Sequence, residues 1–395
     1  MTQPVSGFNK IYRHKELQMI FCVTLTAVMG VSSIAPALPK MLSAMDVTPG
    51  HAWWLVSAFT LPGVVLTPVM GILADRIGRK IVLVPSLLCF ALFGALCGLS
   101  SSLPILLFFR FMQGVGAAAL GSMNVTLISD LYTGKQRMEA MGLNASVLAL
   151  GTTIYPFLGG ALAMFGWQFP FLLPLLAAPL AFFIMKYLDV VQPASNGKFM
   201  EYMKNALRQM RNPEPLGLFA TTIATFIILY GVIISYLPIY LHEHFGASSF
   251  GTGLVIASSS LVSALVSSQL ARLATRFNPK ALLISAFCFY ALSAFLIPLM
   301  PSELTMVIPV MIFGLAQALN IPNVHTMLAN LAPPEQRGAF MALNGMVLRL
   351  GQTLGPLIMG GAYALFGLRG VFYFSGCLAL AVGVGVFYLV ICRKA

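Results

Sequence analysis

Two arginines stand where charge is expensive. Arg110 lies in the apolar run 104–127 and Arg349 in the run 338–364, and a cation at the centre of a membrane-spanning helix costs about 2.5–3.5 kcal/mol on insertion scales. A guanidinium in such a place needs backbone carbonyls to bond or an anion to pair with, and its planar fork suits carboxylate or phosphate. For Arg349 both readings stand: packing, or an anionic or zwitterionic ligand held together with Arg110. Each arginine is followed three residues later by a glutamine, Gln113 and Gln352, and Gln317 and Asn320 repeat the spacing, which puts each pair on one helix face. Asn144, Tyr155, Tyr230 and Tyr236 add polar groups within apolar runs, to be read as the lining of a cavity or as hydrogen-bonding glue between helices.

All eleven carboxylates fall in loops or at the ends of apolar runs, so no buried acid is in place to pair with a lipophilic cation. His325 lies toward one end of the run 303–329; histidine titrates near neutrality and suits a proton step, or it is a hydrogen-bonded structural residue. No cluster of His, Asp, Cys or Ser has catalytic or metal-ligand spacing, His242-Glu243-His244 being short and isolated, and no Walker-type loop is present. An enzyme and an ATP-driven machine are therefore both disfavoured, and no cofactor or metal is expected. The six cysteines sit within or at the end of apolar runs without C-x-x-C spacing, which argues against disulfides and metal.

The scaffold that must position these groups is written in the composition. Apolar residues make up 58% of the 395, charged residues 9%, and the mean hydropathy is +0.88; soluble domains are about a quarter charged. A span needs about 20 apolar residues. Twelve runs qualify: 17–39, 53–74, 81–101, 104–127, 138–162, 167–188, 216–241, 250–274, 281–300, 303–329, 338–364 and 369–392. The first follows Lys10–Lys15 in a way that resembles a signal peptide, but its length makes it a span. The chain is thus expected to be an all-α integral membrane protein: six helices in 1–188, a polar linker 189–215 that is a surface-lying amphipathic helix or a plain connector, and six more in 216–395.

The loop Gly71-Ile72-Leu73-Ala74-Asp75-Arg76-Ile77-Gly78-Arg79-Lys80 returns in weakened form at 271–280, where Ala274, Arg276 and Lys280 match at an offset of 200. Gly114/Gly314, Asn144/Asn344, Gly151/Gly351 and Pro156/Pro356 keep the same offset. One register across loops and helices means two homologous halves. With the Asp75 loop in the cytoplasm, 19 of the 23 Lys and Arg residues lie on that side, leaving Lys40 and Arg369 outside and the two arginines within spans. This positive-inside bias puts both termini in the cytoplasm, and it explains the net charge of +12 by topology, without a nucleic-acid partner.

These motifs resemble those of the major facilitator superfamily, and most closely its twelve-helix drug/proton antiporter branch. The loop matches the G-x-L-a-D-r-x-G-r-k signature between helices 2 and 3, and Arg110-Phe111-Met112-Gln113-Gly114-Val115-Gly116 matches R-x-x-q-G-x-g on helix 4. Gly151-Thr152-Thr153-Ile154-Tyr155-Pro156-Phe157-Leu158-Gly159-Gly160 resembles the antiporter motif of helix 5, with Tyr155 in place of its middle glycine; Gly351, Gly355 and Pro356 keep the pattern on helix 11.

The resemblance implies the major facilitator fold and secondary active transport of a small molecule by alternating access, powered by a proton gradient in a cell inner membrane and working as a monomer. Efflux of an anionic or zwitterionic compound is the expectation; export of lipophilic drugs and uptake of an organic anion are the alternatives. Gly71, Asp75, Arg76, Gly78, Arg79 and Asp130 would form a conformational latch, with Arg79 pairing Asp130 and Asp75 set against the start of helix 11 near Gly338. Arg110, Gln113 and His325 would serve proton coupling. Gly151, Pro156, Gly159 and Gly160 would bring helix 5 close to helix 8, and Tyr155 would push that seam apart or reach into the cavity.

Overall fold

The computed structural model describes residues 11–188, 213–270, 273, 276–331 and 337–388. Its described residues form helices and connectors with no strand, as a chain must whose backbone N–H and C=O groups find no water in the hydrocarbon and have to satisfy one another. In chain order the spans are α1 (Lys15–Ala44), α2 (Pro49–Ile77), α3 (Arg79–Gly98), α4 (Leu103–Leu131), α5 (Gly134–Phe165) and α6 (Phe169–Tyr187), then α7 (Glu214–Phe245), α8 (Ser249–Ser267), α9 (Pro279–Leu299) and α10 (Val307–Leu331). A last helical stretch, Arg337–Val386, is broken at Gly367 (φ 69°) into α11 (337–366) and α12 (368–386). The twelve expected spans are present among the described residues, most ends within a few positions of those read from the sequence. Residues 189–212 of the linker and, in the second-copy loop, Ala271, Arg272, Ala274 and Thr275 lie outside the described residues.

Three departures from regular helix matter. The first turns of α6, Phe169–Leu176, are 3₁₀ around Pro174. The middle of α7, Leu229–Tyr236, is a π-helix, a rare form that gathers at functional sites; there Ser235 Oγ donates to the Tyr230 carbonyl at 2.8 Å. Between α2 and α3 the chain turns through Gly78 alone at φ 111°, where a side chain would be strained.

Packing repeats across the two halves. In the first half α1 lies on α5, α2 and α3 on α4, and α3 on α6; in the second α7 lies on α11, α8 and α9 on α10, and α9 on α12. The match reaches single residues. A Cβ at Gly114 of α4 would collide with the Phe59 carbonyl of α2, and one at Gly314 of α10 with the Ser259 carbonyl of α8. Thr24 donates to Asn144 at 2.5 Å and Thr222 to Asn344 at 2.9 Å, pinning α1 to α5 and α7 to α11.

The halves meet along two seams, α2 with α11 and α5 with α8. Call the end carrying Gly71–Lys80 the near end and the opposite one the far end. At the far end the seams are shut: a Cβ on Gly360 would meet the Trp53 ring at 2.6 Å, one on Gly160 the Ser249 backbone, and Phe157 packs on Phe250 at 5.2 Å between ring centres. Toward the near end they part. Gly71 lies 18 residues from Trp53, and Gly142 lies 18 from Gly160, about five full turns and so the same helix face. Among the described residues, neither has an atom of another element within 4 Å of its Cβ position. A cleft therefore opens between the halves at the near end and is floored by the far-end contacts.

Candidate functional site

At the near end the signature loop forms a charge cluster. The Arg79 guanidinium pairs with Asp75 one turn earlier and donates through Nε to Asp130 Oδ2 at 3.0 Å, so two carboxylates bracket one largely buried arginine. Arg76 is exposed. The expected Arg79–Asp130 pair is present. The surroundings of Gly338 lie outside the described residues, and Asp75 is engaged with Arg79.

Arg110 is 1% exposed and serves the first half from within. Its Nη1 donates to the Gly30 carbonyl of α1 at 3.0 Å and to Gln113 Oε1 at 2.8 Å, and its Nε to the Leu55 carbonyl of α2 at 3.3 Å. Its charge lies 4.5 Å from the Phe59 ring centre and 5.8 Å from that of Phe171 on α6. The arginine thus ties α1, α2, α4 and α6 together. The expectation that it lines the ligand cavity is corrected: it and Gln113 are sealed from the cleft, because the carbonyls left by close helix packing are nearer than any ligand could come.

Other expected lining residues turn inward as well. Asn144 accepts from Thr24, and Asn320 donates to Thr225 at 2.8 Å. Tyr236 is fully buried, with its ring stacked on Tyr363 at 5.8 Å. Tyr155 is also buried and lies back over Gly151 on the side where α1 presents Leu25. It therefore neither wedges α8 away nor enters the cleft. The helix 5 motif divides its work: Gly151 and Gly159 face Leu25 and Ser33 of α1, whereas Pro156 and Gly160 face Gly253 and Ser249 of α8. On α11, Gly351 and Gly355, one residue before and three after Gln352, pack against Ile223 and Ile227 of α7.

What reaches the middle of the cleft is a chain on α11 and α7. Arg349 Nη1 donates to Gln352 Oε1 at 3.0 Å, and Gln352 Nε2 donates to Tyr230 Oη at 2.9 Å, on the π-helical turn of α7. Arg349 crosses to the other half: Cβ positions at Gly63 of α2 and Gly121 of α4 lie 3.1 Å from its Cδ and 3.0 Å from its Nη2. Toward the far end the seam is polar. Thr353 Oγ1 donates to Thr60 Oγ1 at 2.9 Å, and Ser57 Oγ to the Thr353 carbonyl at 2.8 Å. On α10, Gln317 is buried, and His325, eight residues further along, is exposed. Sequence reasoning missed Ser57, Thr60, Thr353, Gly63 and Gly121. The glycines inside long apolar helices were the available signal; the hydroxyls gave none.

The Major Facilitator Superfamily profile matches residues 20–251 and 221–394, nearly the whole chain. The chain belongs to the Major Facilitator Superfamily. Among its relatives, Multidrug resistance protein 2 of Bacillus subtilis (strain 168) is 27% identical over 386 residues, covering 94% of this chain and 95% of the relative. Multidrug resistance protein MdtG of Escherichia coli O6:K15:H31 (strain 536 / UPEC) is 26% identical over 362 residues, 88% of each. Among solved structures, a bacterial homolog to the human lysosomal transporter Spinster, in an inward-facing and unoccupied conformation, superposes with a TM-score of 0.78 at 18% identity over 98% of both chains. The human organic anion transporter MFSD10 (TETRAN) superposes with a TM-score of 0.70 at 19% identity, over 96% of this chain and 100% of that one.

As a superfamily member the protein is a multi-pass integral membrane transporter and not an enzyme. It moves a small molecule by secondary active, alternating-access transport. The cleft between α2–α11 and α5–α8 is the place where this fold admits its substrate.

Proposed function

We propose that this transporter exports lipophilic small molecules in exchange for protons, as a monomer of the drug/proton antiporter branch, and that it takes neutral, zwitterionic and anionic compounds in preference to cations. The observation that carries this reading is the cleft itself, open at the basic end of the molecule and presenting Arg349 where a cation-binding pump would need a carboxylate. The sequence assigns 19 of its 23 Lys and Arg residues to segments on the side of the Asp75 loop, which supports a near end that faces the cytoplasm of a cell inner membrane, with both termini cytoplasmic. The described state is then one that loads from inside the cell. Relatives named for multidrug resistance support export over uptake.

The cycle follows from the seams. Closing the near end would bring Asp75 to the start of α11, where a carboxylate is favoured by the helix dipole. Arg79 would then keep Asp130, and the far-end contacts of Thr60 and Thr353 would part. Proton coupling would fall to His325, an exposed titratable side chain within the span α10. Its replacement by Gln is expected to abolish uptake driven by a pH gradient in inverted vesicles while leaving substrate exchange at equal pH nearly intact. Equal loss of both would take His325 out of the coupling step. The export reading itself is tested in the same vesicles with a panel of uncharged, anionic and cationic lipophilic dyes under an inside-acid gradient. Accumulation of the cationic dyes alone would sink the charge preference, and accumulation of none would sink export.

A further inference from the structure

We infer that Arg349, Gln352 and Tyr230 form a carboxylate-binding site that the two glycines of the opposite half complete. The inference rests on the cleft being the substrate path, as proposed above, and it names the chemistry that path selects.

The argument starts from donors and acceptors. A guanidinium can only donate, so the Gln352 atom facing Arg349 must be the amide oxygen, and the amide orientation is settled by its partner. The Gln352 nitrogen then donates to Tyr230 Oη at 2.9 Å. The Tyr230 oxygen is thus used as an acceptor, and its own O–H proton remains to be given. At the other end, Arg349 Nε and Nη2 have no acceptor among the described residues, and neither is sealed from solvent. The three residues satisfy one another in a single direction and leave hydrogen-bond donors at both ends. Such a site holds an oxyanion and repels an ammonium.

Room for that oxyanion comes from the other half. A methyl group at Gly121 would sit 3.0 Å from Nη2, and one at Gly63 would sit 3.3 Å from Nε. These are the separations at which hydrogen-bonded oxygens sit, so the missing Cβ atoms leave space beside the same edge of the guanidinium that carries its spare protons. The edge suits a bidentate carboxylate. The first half contributes no charge here, only clearance, so the site exists while α2 and α4 stand against α11 and is dismantled when that seam parts. Ala149 occupies the position matching Arg349 in the first half, and the site is therefore single.

The test uses purified full-length protein in lipid nanodiscs and three probes with one body: naphthoate, its methyl ester and naphthyltrimethylammonium. Binding is read as the rise in thermal midpoint and by calorimetric titration. Naphthoate is expected to bind most tightly, the ester at least tenfold more weakly and the ammonium not at all. Arg349→Lys and Gly121→Ala are each expected to weaken it about tenfold or more, and Tyr230→Phe by a smaller factor. Gly121→Ala keeps the arginine and covers the case in which Arg349→Lys fails to fold. The site is overturned if the ester or the ammonium binds as well as the acid, if the acid does not bind, or if the acid binds both variants as it binds the wild type. Export is judged separately by movement of the uncharged ester in vesicles: ester export without acid binding removes this site alone, and acid binding without any export removes the proposed function alone.

Discussion

Oxidising a Thr60→Cys/Thr353→Cys pair is expected to stop transport almost completely, and adding reductant is expected to restore it. The two hydroxyl oxygens already meet at 2.9 Å across the α2–α11 seam, which brings the two side chains close enough for a cysteine pair to be tried there, a disulfide needing Cβ atoms about 3.5–4.5 Å apart. It would fix the far end shut. Alternating access requires that end to open once per cycle, hence the loss of turnover. Binding of a probe from the near end should survive, which separates a locked transporter from a damaged one. The variant is made without the native cysteines, several of which are exposed, and transport is measured in vesicles before and after reduction. Full transport by quantitatively cross-linked protein would mean that the Thr60–Thr353 contact is not the one that opens.

Replacing Arg110 by Gln is expected to be the most destabilising of the single changes considered. Its guanidinium serves the carbonyls of Gly30 and Leu55 and the amide oxygen of Gln113. Each acceptor stranded in the interior costs about 1–3 kcal/mol, and the charge that lies against the Phe59 ring at 4.5 Å is lost as well. Because the contacts reach α1, α2, α4 and α6, their loss loosens four of the six helices of one half. A large fall in thermal midpoint and in monodisperse yield from detergent is the expected result. Arg110→Lys should fall in between, since an ammonium keeps the charge but cannot span the carbonyls of two helices. If Arg110→Gln were as stable as wild type but dead in transport, the residue would belong to the transport chemistry after all.

Much of the architecture was legible in the residues. Apolar runs of span length fix the helices, because the bilayer admits little else, and the offset of 200 tying Asn144 to Asn344 and Gly114 to Gly314 reappears as matched contacts. The Arg79–Asp130 pair was legible through the family resemblance of the loop and of the end of helix 4. Which polar side chains face the cleft was not. A soluble helix shows its buried face by contrast with a polar one, but a spanning helix is apolar all round, so Asn144, Asn320 and Tyr236 looked like Arg349 and Gln352 until the packing turned them inward. Thr60 and Thr353 were invisible for a related reason: most threonines here bond their own helix, as Thr126 does to the Ser122 carbonyl at 3.0 Å, and only the fold distinguishes the pair that also meets across the seam. The π-helical turn that presents Tyr230 has no signature that composition or spacing could have carried.

The matched contacts of the two halves have a use beyond symmetry. They make the chain its own mutational control, since each matched position has a partner that sits in the corresponding place of the other half. Where the partners agree, as at Gly114 and Gly314 or Asn144 and Asn344, the residue answers to the architecture. Where they part, as Arg349 does from Ala149, the architecture has been shown to do without it, and whatever keeps the arginine must be sought in the task.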